Sequence, residues 1–290
     1  MPSKNKELYL SSAGLTLRVI FESGELAETI QNNDFLSKYI PGFSLATDNN
    51  IEASVEFLNQ EVFFEFKDYP KIKIGIKGVS EKEIISLIEL VFERVRQEKG
   101  IFCIHSATAV YKGKAVIFWG GASGMGKTRL AKLLANDGSF YSDEKTLVNA
   151  RNMEILGGIP FIYLDKDYWK RQITDKQEDS YYHSATNNSE PVPIALFVYG
   201  FGINGAEMST DLWRPEKFEW HLYEELGRKI RAISRRVKDG NIAVPSIDSR
   251  ANGDHRIQSV KEVAQKIPCY SIQGSPESVV DYIKQLEIWK

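Results

Sequence analysis

Residues 115–134 read AVIFWGGASGMGKTRLAKLL, and this stretch decides the fold. The apolar run from Ala115 to Trp119 has the length and composition of a buried β-strand. Glycine-rich residues follow it, after which Leu130, Leu133 and Leu134 recur at helical spacing. The pattern predicts a strand, a tight loop and a helix, from Arg129 to about Asn136, in direct succession.

The loop itself, Gly121 to Thr128, matches the pattern G-x-x-x-x-G-K-[ST] of phosphate-binding loops. Its glycines let backbone amides converge on phosphate oxygens, and the positive end of the following helix acts on the same place. We expect Lys127 to reach the β- and γ-phosphates of ATP, and the Thr128 hydroxyl to bind Mg²⁺. The predicted nucleotide-binding residues are Gly121, Ala122, Ser123, Gly124, Met125, Gly126, Lys127, Thr128 and Arg129. Such a loop indicates nucleotide binding but does not separate kinases from GTPases, ATPases or binding modules.

The rest of the chain divides into two parts with different patterns. Up to residue 79, short apolar runs separated by Asp, Pro and Gly predict a β-rich N-terminal unit. Ser80 and Glu83 then form a capping-box pattern that opens a helix ending at Gly100, so we place the domain boundary near residue 80. Residues 80–290 alternate strand-like and helical segments, which predicts an α/β domain with a mixed sheet and flanking helices. The predicted strands are Ile101 to Val110, Ala115 to Trp119, Thr146 to Val148 and Ile194 to Tyr199, and further helices follow Pro215 and Ser275.

Composition narrows the classes of partner. The formal charge of −2 gives no electrostatic reason to expect nucleic acid or an anionic membrane. The two cysteines, Cys103 and Cys269, lack a metal-binding spacing and favour a reducing compartment. The chain contains no long apolar stretch for secretion or membrane spanning. We therefore expect a cytoplasmic protein with a small or peptidic ligand, and leave homo-oligomerisation open.

An acidic pair, Asp143-Glu144, follows the predicted helix of the phosphate-binding loop. That helix is about 15 Å long, so a returning strand can bring the pair back beside the phosphates. One carboxylate there can accept the proton of an attacking hydroxyl, and the other can hold magnesium. The alternative is a solvated turn, because Asp-Glu pairs are common on surfaces.

Three features of residues 101–148 together carry a family resemblance. His105 lies in a strand one hairpin before the phosphate-binding loop, the loop follows, and Asp143-Glu144 comes one helix later. This combination resembles the HPr kinase/phosphorylase family, P-loop kinases with a core similar to that of phosphoenolpyruvate carboxykinase. The resemblance implies that Asp143 is the hydroxyl-activating base, with His105 and Lys127 beside it, and that Glu144 is an acid on the magnesium side.

The resemblance also has departures. Glu144 stands where the family usually has Asp, and the family's glycine-rich signature for its carrier protein is only faintly echoed by Ile155 to Pro160. The segment from Ile267 to Ile272 is similar to the family's final strand. The chain looks more like a divergent branch of the family, which includes lasso-peptide serine kinases. This implies ATP- and Mg²⁺-dependent transfer of the γ-phosphoryl group to a serine of a peptide or protein.

Alternatives to these assignments remain open at the level of sequence. The same core would serve a small-molecule or nucleoside kinase, and the loop alone would serve an ATPase or a nucleotide-binding regulator. Asp165, after four apolar residues, competes with the acidic pair for the metal, although any buried strand can end this way. Arg228, Arg231 and Arg235 share one helical face and would suit a phosphate clamp or a solvated surface. His183, His221 and His255 lack metal-ligand spacing, and Asp175 to Glu190 suits a mobile loop over the site.

Overall fold

The protein is seen in a computed structural model that describes residues 6–47, 50–121, 124–163, 181–183, 190–202 and 207–290. Two large sheets with helices packed against them account for most of these residues. The mixed α/β class expected from the sequence is therefore confirmed.

The N-terminal sheet has the strand order β3-β1-β2-β4-β6-β5, with β2, β4 and β6 parallel. It is β-rich as predicted, and it also carries helices that the sequence analysis did not identify. The Ser23 hydroxyl caps the first of these helices by accepting the N–H of Leu26 at 3.3 Å. The elements are β1 (Lys6–Ser12), β2 (Leu15–Phe21), α1 (Gly24–Gln31), α2 (Phe35–Tyr39), β3 (Phe43–Leu45), β4 (Ile51–Leu58), β5 (Phe64–Glu65) and β6 (Lys71–Gly75).

Helix α3 (Glu81–Glu98) joins the two sheets. It begins with the predicted capping box, because the Glu83 carboxylate accepts the N–H of Ser80 at 2.9 Å while the Ser80 hydroxyl accepts the N–H of Glu83. Its apolar stripe, from Ile84 to Val95, packs into the core of the N-terminal sheet. Although α3 follows the boundary predicted at residue 80, its packing is shared with the N-terminal unit.

The second sheet has the order β11-β10-β8-β9-β14-β18-β15, with β7 paired to β10. Strands β9, β14 and β18 are parallel, and the remaining pairings are antiparallel. Strands β12 and β13 form a separate two-stranded sheet, and so do β16 and β17. The elements of this part of the chain are β7 (Ile101–Ile104), β8 (Ser106–Tyr111), β9 (Lys114–Trp119), α4 (Lys127–Leu134), β10 (Ser139–Asn149), β11 (Glu154–Ile159), β12 (Phe161–Tyr163), β13 (Tyr181–His183), β14 (Val192–Gly202), β15 (Ser209–Leu212), α5 (Pro215–Ile230), β16 (Arg236–Val237), β17 (Ile242–Ala243), α6 (Arg250–Lys266), β18 (Cys269–Gly274) and α7 (Pro276–Gln285).

Helices cover both faces of this sheet. Helices α4 and α7 pack on one face through Leu130, Leu134 and Ile283. Helices α5 and α6 pack on the other face through Phe218 and Val260. Helices α5 and α7 begin with proline, as the sequence predicts. Among the helices of the described residues, none combines the length and apolar character needed to cross a membrane.

Two strands depart from the predicted bounds at the place where the candidate site lies. The predicted strand from Ile101 to Val110 is broken at His105 into β7 and β8. Strand β10 is longer than predicted and changes partner along its length, pairing first with β8 and then with β7 and β11. The change occurs at a register shift between Asp143 and Thr146, a β-bulge that single-strand periodicity does not reveal.

Gly138 provides a test of how the chain returns from α4 to β10. A Cβ atom there would lie 2.1 Å from the carbonyl oxygen of Val110, a contact with rigid backbone. We expect Gly138→Ala to lower the free energy of unfolding by about 1–3 kcal/mol, as overpacking does. The measurement is urea denaturation followed by circular dichroism.

Gly253 is the matched control, because it lies within α6 and a Cβ atom there would meet nothing within 4 Å. Gly253→Ala should raise stability by about 0.5–1 kcal/mol through helix propensity. Equal stability of Gly138→Ala and the wild type would contradict the proposed steric constraint.

Candidate functional site

The loop from Gly121 to Thr128, named the phosphate-binding loop for its sequence pattern, connects β9 to α4 as the sequence predicts. Gly126 is the residue before α4 and has φ +89°, a left-handed conformation that favours glycine. Gly120 has φ +73°, and a Cβ atom there would lie 2.0 Å from the Tyr199 ring. Strand, glycine turn and helix start are therefore all present. Ala122 and Ser123 of the predicted set lie outside the described residues.

Strand β10 brings Asp143 back to the start of α4. The Thr128 hydroxyl donates a hydrogen bond to Asp143 Oδ1 at 2.8 Å. The Asp143 side chain is buried, with 3% of the residue exposed. The alternative prediction of a solvated turn is therefore wrong for Asp143, because its carboxylate is buried and bonded to Thr128 of the phosphate-binding loop.

Glu144 turns the other way, toward His105. It has φ +62°, which is uncommon for a residue other than glycine. Nδ1 of His105 lies 2.9 Å from the Glu144 carbonyl oxygen and 3.4 Å from its Oε2. A carbonyl oxygen only accepts, so Nδ1 carries the proton of this hydrogen bond, and Nε2 of the neutral ring is left as an acceptor.

A buried cluster of hydroxyls lies beneath these two side chains. Oγ1 of Thr146 is 2.7 Å from Ser106 Oγ, 2.8 Å from Thr108 Oγ1 and 2.7 Å from Ser142 Oγ. Buried polar atoms need such partners, and here they connect both sides of the bulge to β8. The cluster therefore fixes the point at which Asp143 and Glu144 leave the regular strand.

Burial shifts the titration of three groups toward their neutral forms. It raises the pKa of Asp143 to about 6, and the nearby charge of Glu144 acts in the same direction. Burial lowers the pKa of His105, with further lowering by Lys127. The pKa of Lys127 is also lowered by burial, although neighbouring carboxylates oppose the shift. A carboxyl group that titrates near neutrality can accept a proton during a reaction.

Glu225 of α5 also belongs to this site, and sequence reasoning missed it. Its Oε1 accepts the backbone N–H of His105 at 3.2 Å across 120 positions of sequence. Arg228 follows one helical turn later, with 65% of its side chain exposed and its Nη1 3.9 Å from Glu225. No local pattern marks Glu225, because only the packing of α5 against β7 brings it here.

The predicted arginines separate in the structure. Helix α5 ends at Ile230, so of the three predicted arginines only Arg228 lies within it, beside the site. The guanidinium of Arg231 lies 3.5 Å from the Asp248 carboxylate, and Arg235 donates to the Ser86 carbonyl, so both have structural partners. Arg129, predicted to bind nucleotide, pairs with Glu277 at 3.2 Å on the side of α7.

The remaining candidates lie elsewhere. The His221 ring packs 4.8 Å from that of Trp213, and His255 Nδ1 lies 3.0 Å from the Gln97 carbonyl oxygen. Asp165 and the side chain of His183 lie outside the described residues, as does most of Asp175 to Glu190. Within that stretch, Tyr181–His183 forms strand β13.

A second group of ligand-type side chains lies between the sheets. The Glu89, Glu93 and Cys103 ligand atoms come within 4.8 Å of one another. Arg96 Nη2 already contacts both carboxylates, at 2.8 and 2.9 Å, and Lys229 Nζ lies 2.8 Å from Cys103 Sγ. Arg96 and Lys229 therefore already provide the positive charge that a metal ion would bring. We interpret the group as a buried ion-pair network.

The site offers donors that suit a magnesium nucleotide. Thr128 and Asp143 provide hydroxyl and carboxylate oxygens, the ligands that Mg²⁺ prefers, whereas the Glu144 carboxylate lies beside His105. Lys127 provides a buried amine, and α4 directs its positive end toward the loop. No protein-family model matches the chain, and no curated protein matches it. The function of the site is therefore inferred from its geometry and chemistry.

The raised pKa of Asp143 predicts a pH-dependent stability in the protein without metal or nucleotide. Burial favours the protonated carboxyl group of Asp143 and disfavours the ionised one. The free energy of unfolding should therefore fall as pH rises from 3.8 to about 6. Asp143→Asn should match the wild type at pH 4 and exceed it at pH 8, by at most about 3 kcal/mol. Thermal unfolding at both pH values measures the difference.

Asp254→Asn serves as the control, because the side chain of Asp254 is 72% exposed and lies in α6. It should change stability little at either pH. A lower melting temperature for Asp143→Asn than for the wild type at pH 8 would contradict the buried, destabilised carboxylate.

Proposed function

We propose that this chain is an ATP- and Mg²⁺-dependent kinase that transfers the γ-phosphoryl group to a hydroxyl. The observation that carries the proposal is the 2.8 Å contact between Thr128 of the phosphate-binding loop and the buried Asp143. It unites a phosphate-binding element with a carboxylate of raised pKa. Transfer to a hydroxyl uses both, because the phosphates must be positioned and the proton of the hydroxyl must be accepted.

The loop and α4 supply the phosphate-binding part. Backbone N–H groups of the loop bind phosphate oxygens, and Lys127 neutralises charge on the β- and γ-phosphates. Thr128 and an acid of β10 would hold Mg²⁺, which would supply positive charge to offset the charge that develops on the phosphates.

Strand β10 supplies the proton acceptor. Asp143 takes the proton of the attacking hydroxyl, as its burial and pKa near 6 allow. Because Asp143 also accepts a hydrogen bond from Thr128, its carboxylate would lie beside a bound Mg²⁺, a role that the family resemblance implies for Glu144. Glu144 and the neutral His105 face the acceptor, and His105 Nε2 can accept a hydrogen bond there.

Within this class, we propose a serine of a peptide or protein as the acceptor. The side chains of His105 and Glu144 are 37% and 42% exposed among the described residues, which supports an acceptor presented from outside. The three features that resemble HPr kinase-like proteins also support this choice, and membership in that group is part of the proposal. A small-molecule kinase on the same core and an acceptor-free ATPase are the competing functions.

Incubation with γ-labelled ATP and Mg²⁺ tests the proposal. Parallel samples contain serine peptides, simple alcohols, nucleosides or no acceptor. Label on peptide supports the proposed function, whereas label on an alcohol or nucleoside selects the small-molecule kinase. Release of labelled phosphate at the same rate in every sample would identify an ATPase and overturn the proposal.

Removal of the loop lysine tests the phosphate-binding part. Lys127→Ala should weaken binding of ATP with Mg²⁺ and abolish transfer, because the γ-phosphate loses its charged partner. Calorimetric titration with a non-hydrolysable ATP analogue measures the affinity. Lys132→Ala removes an exposed lysine from the same helix and should leave both properties unchanged. Wild-type affinity in Lys127→Ala would rule out this loop as the phosphate site.

Removal of the base tests the transfer part. Asp143→Asn keeps the shape and the hydrogen bond from Thr128, but the amide cannot take a proton. Transfer should fall by about 10²- to 10⁴-fold, the usual contribution of a general base, while nucleotide still binds. Single-turnover kinetics measures the rate.

Asp137→Asn is the matched control, since Asp137 follows α4 and its side chain is 57% exposed. It should transfer at the wild-type rate. A normal transfer rate in Asp143→Asn would show that another group accepts the proton.

A further inference from the structure

Lys145, which follows the catalytic pair in β10, connects the bulge to the N-terminal unit. On β11 the partners Ile159 and Gly158 are adjacent, whereas on β10 their partners Asp143 and Thr146 are separated by Glu144 and Lys145. The side chain of Lys145 is 15% exposed. It is therefore directed into the protein from the same bulge that presents Glu144.

The ammonium group of Lys145 is held by contacts from α2 and α3. Its Nζ donates to the Tyr39 carbonyl oxygen and lies 3.5 Å from the centroid of the Tyr39 ring. It also lies 3.8 Å from Oε1 of Glu89, a carboxylate with 2% of its side chain exposed. A cation on an aromatic face, beside a buried carboxylate, is a strongly restrained side chain.

The Tyr39 to Gly42 segment that receives Lys145 is itself fixed on both sides. Ser12 Oγ donates to the Pro41 carbonyl oxygen at 2.7 Å and accepts from Arg96 at 2.8 Å. The N–H of Gly42 donates to the Gly158 carbonyl oxygen at 3.2 Å, on the strand opposite the bulge. The N-terminal unit thus contacts both the bulged strand β10 and its partner β11.

Gly158 of β11 leaves the space that the bulge residues of β10 occupy. A Cβ atom there would lie 2.3 Å from Ser142 Cβ and 2.7 Å from the Lys145 carbonyl oxygen. A side chain at this position would therefore displace the bulge residues. The faint glycine-rich sequence from Ile155 to Pro160 has a structural role at the bulge.

The backbone conformation of Glu144 explains why the neighbouring Lys145 needs to be restrained. A non-glycine residue at φ +62° has a strained backbone, which persists where its surroundings over-determine it. His105 holds the Glu144 carbonyl from one side. On the other side, the next residue along the chain is Lys145.

We propose that Lys145 is a positioning residue that sets Asp143 and Glu144 in their reactive geometry by anchoring the bulge to the N-terminal unit. This inference rests on the proposed kinase function. It gives the N-terminal unit a part in catalysis, because the unit supplies Tyr39 and Glu89 to the anchor. Lys145 itself touches neither phosphate nor acceptor.

Lys145→Met is the direct test, since it keeps the aliphatic stem and removes the charge. Glu89 retains Arg96 at 2.8 Å, so the variant does not leave that carboxylate without a cation. We expect kcat for transfer to fall by about 10- to 100-fold, as small displacements of catalytic groups do, while the Kd for the ATP analogue stays within about 3-fold. Lys238→Met is the matched control, because Lys238 also reaches the N-terminal unit, 3.4 Å from Glu61, away from β10.

A double-mutant cycle distinguishes anchoring from general destabilisation. Tyr39→Leu removes the ring under Lys145, and it should lower kcat by a similar factor. If both residues act through one contact, the double variant should be no slower than the slower single variant. Multiplication of the two rate losses would overturn the anchoring role, as would wild-type kcat in folded Lys145→Met.

Hydrogen–deuterium exchange gives a readout that does not depend on activity. Residues 139–149 should lose protection in Lys145→Met but not in Lys238→Met, with residues 51–58 unchanged in both. If the wild type transfers no phosphate but Lys145→Met loses this protection, the proposed function fails and the anchor remains. If the wild type is active and neither protection nor kcat changes in Lys145→Met, the anchor fails and the kinase remains.

Discussion

The bulge in β10 is the constraint on which the candidate site depends. In a regular strand, Asp143 and Glu144 would point to opposite faces of one sheet. The register shift re-aims them, so that Asp143 is buried against Thr128 while Glu144 lies beside His105. The break between β7 and β8 falls at His105, opposite the bulge. Two irregularities that face each other thus create one site between two regular halves of the sheet.

The electrostatics of the site follow from burial. Asp143, His105 and Lys127 are all shifted toward their neutral forms. In each case desolvation is the largest cause, because a low-dielectric environment disfavours charge. Such an arrangement opposes stability in the protein alone, and it is typical of sites where function outweighs stability. Under the proposed function, a bound Mg²⁺ would favour the ionised form of Asp143, and a bound phosphate would favour the charged form of Lys127.

The two sheets are connected by charged groups as well as by apolar packing. Lys145 reaches Glu89 of α3 from β10, and Glu89 is in turn held by Arg96 of the same helix, which also bonds to Ser12 of β1. Buried ion pairs are a costly way to stabilise a fold, but they fix relative position because each needs its partner in place. Their position beside the bulge makes the N-terminal unit part of the structure around the site.

Local sequence determined a large part of this protein. The capping box at Ser80, the strand from Ala115, the glycine turn and the helix after it all depend on neighbouring residues, and all are present. The return of Asp143 to the loop was also predictable, because a short helix followed by a strand limits where the chain can go. Tertiary structure alone decided the bulge, the break at His105 and the roles of Glu225 and Lys145. Each of these depends on contacts between residues far apart in the chain, such as Glu225 with His105 and Lys145 with Tyr39, and periodicity within one strand or helix carries no record of them.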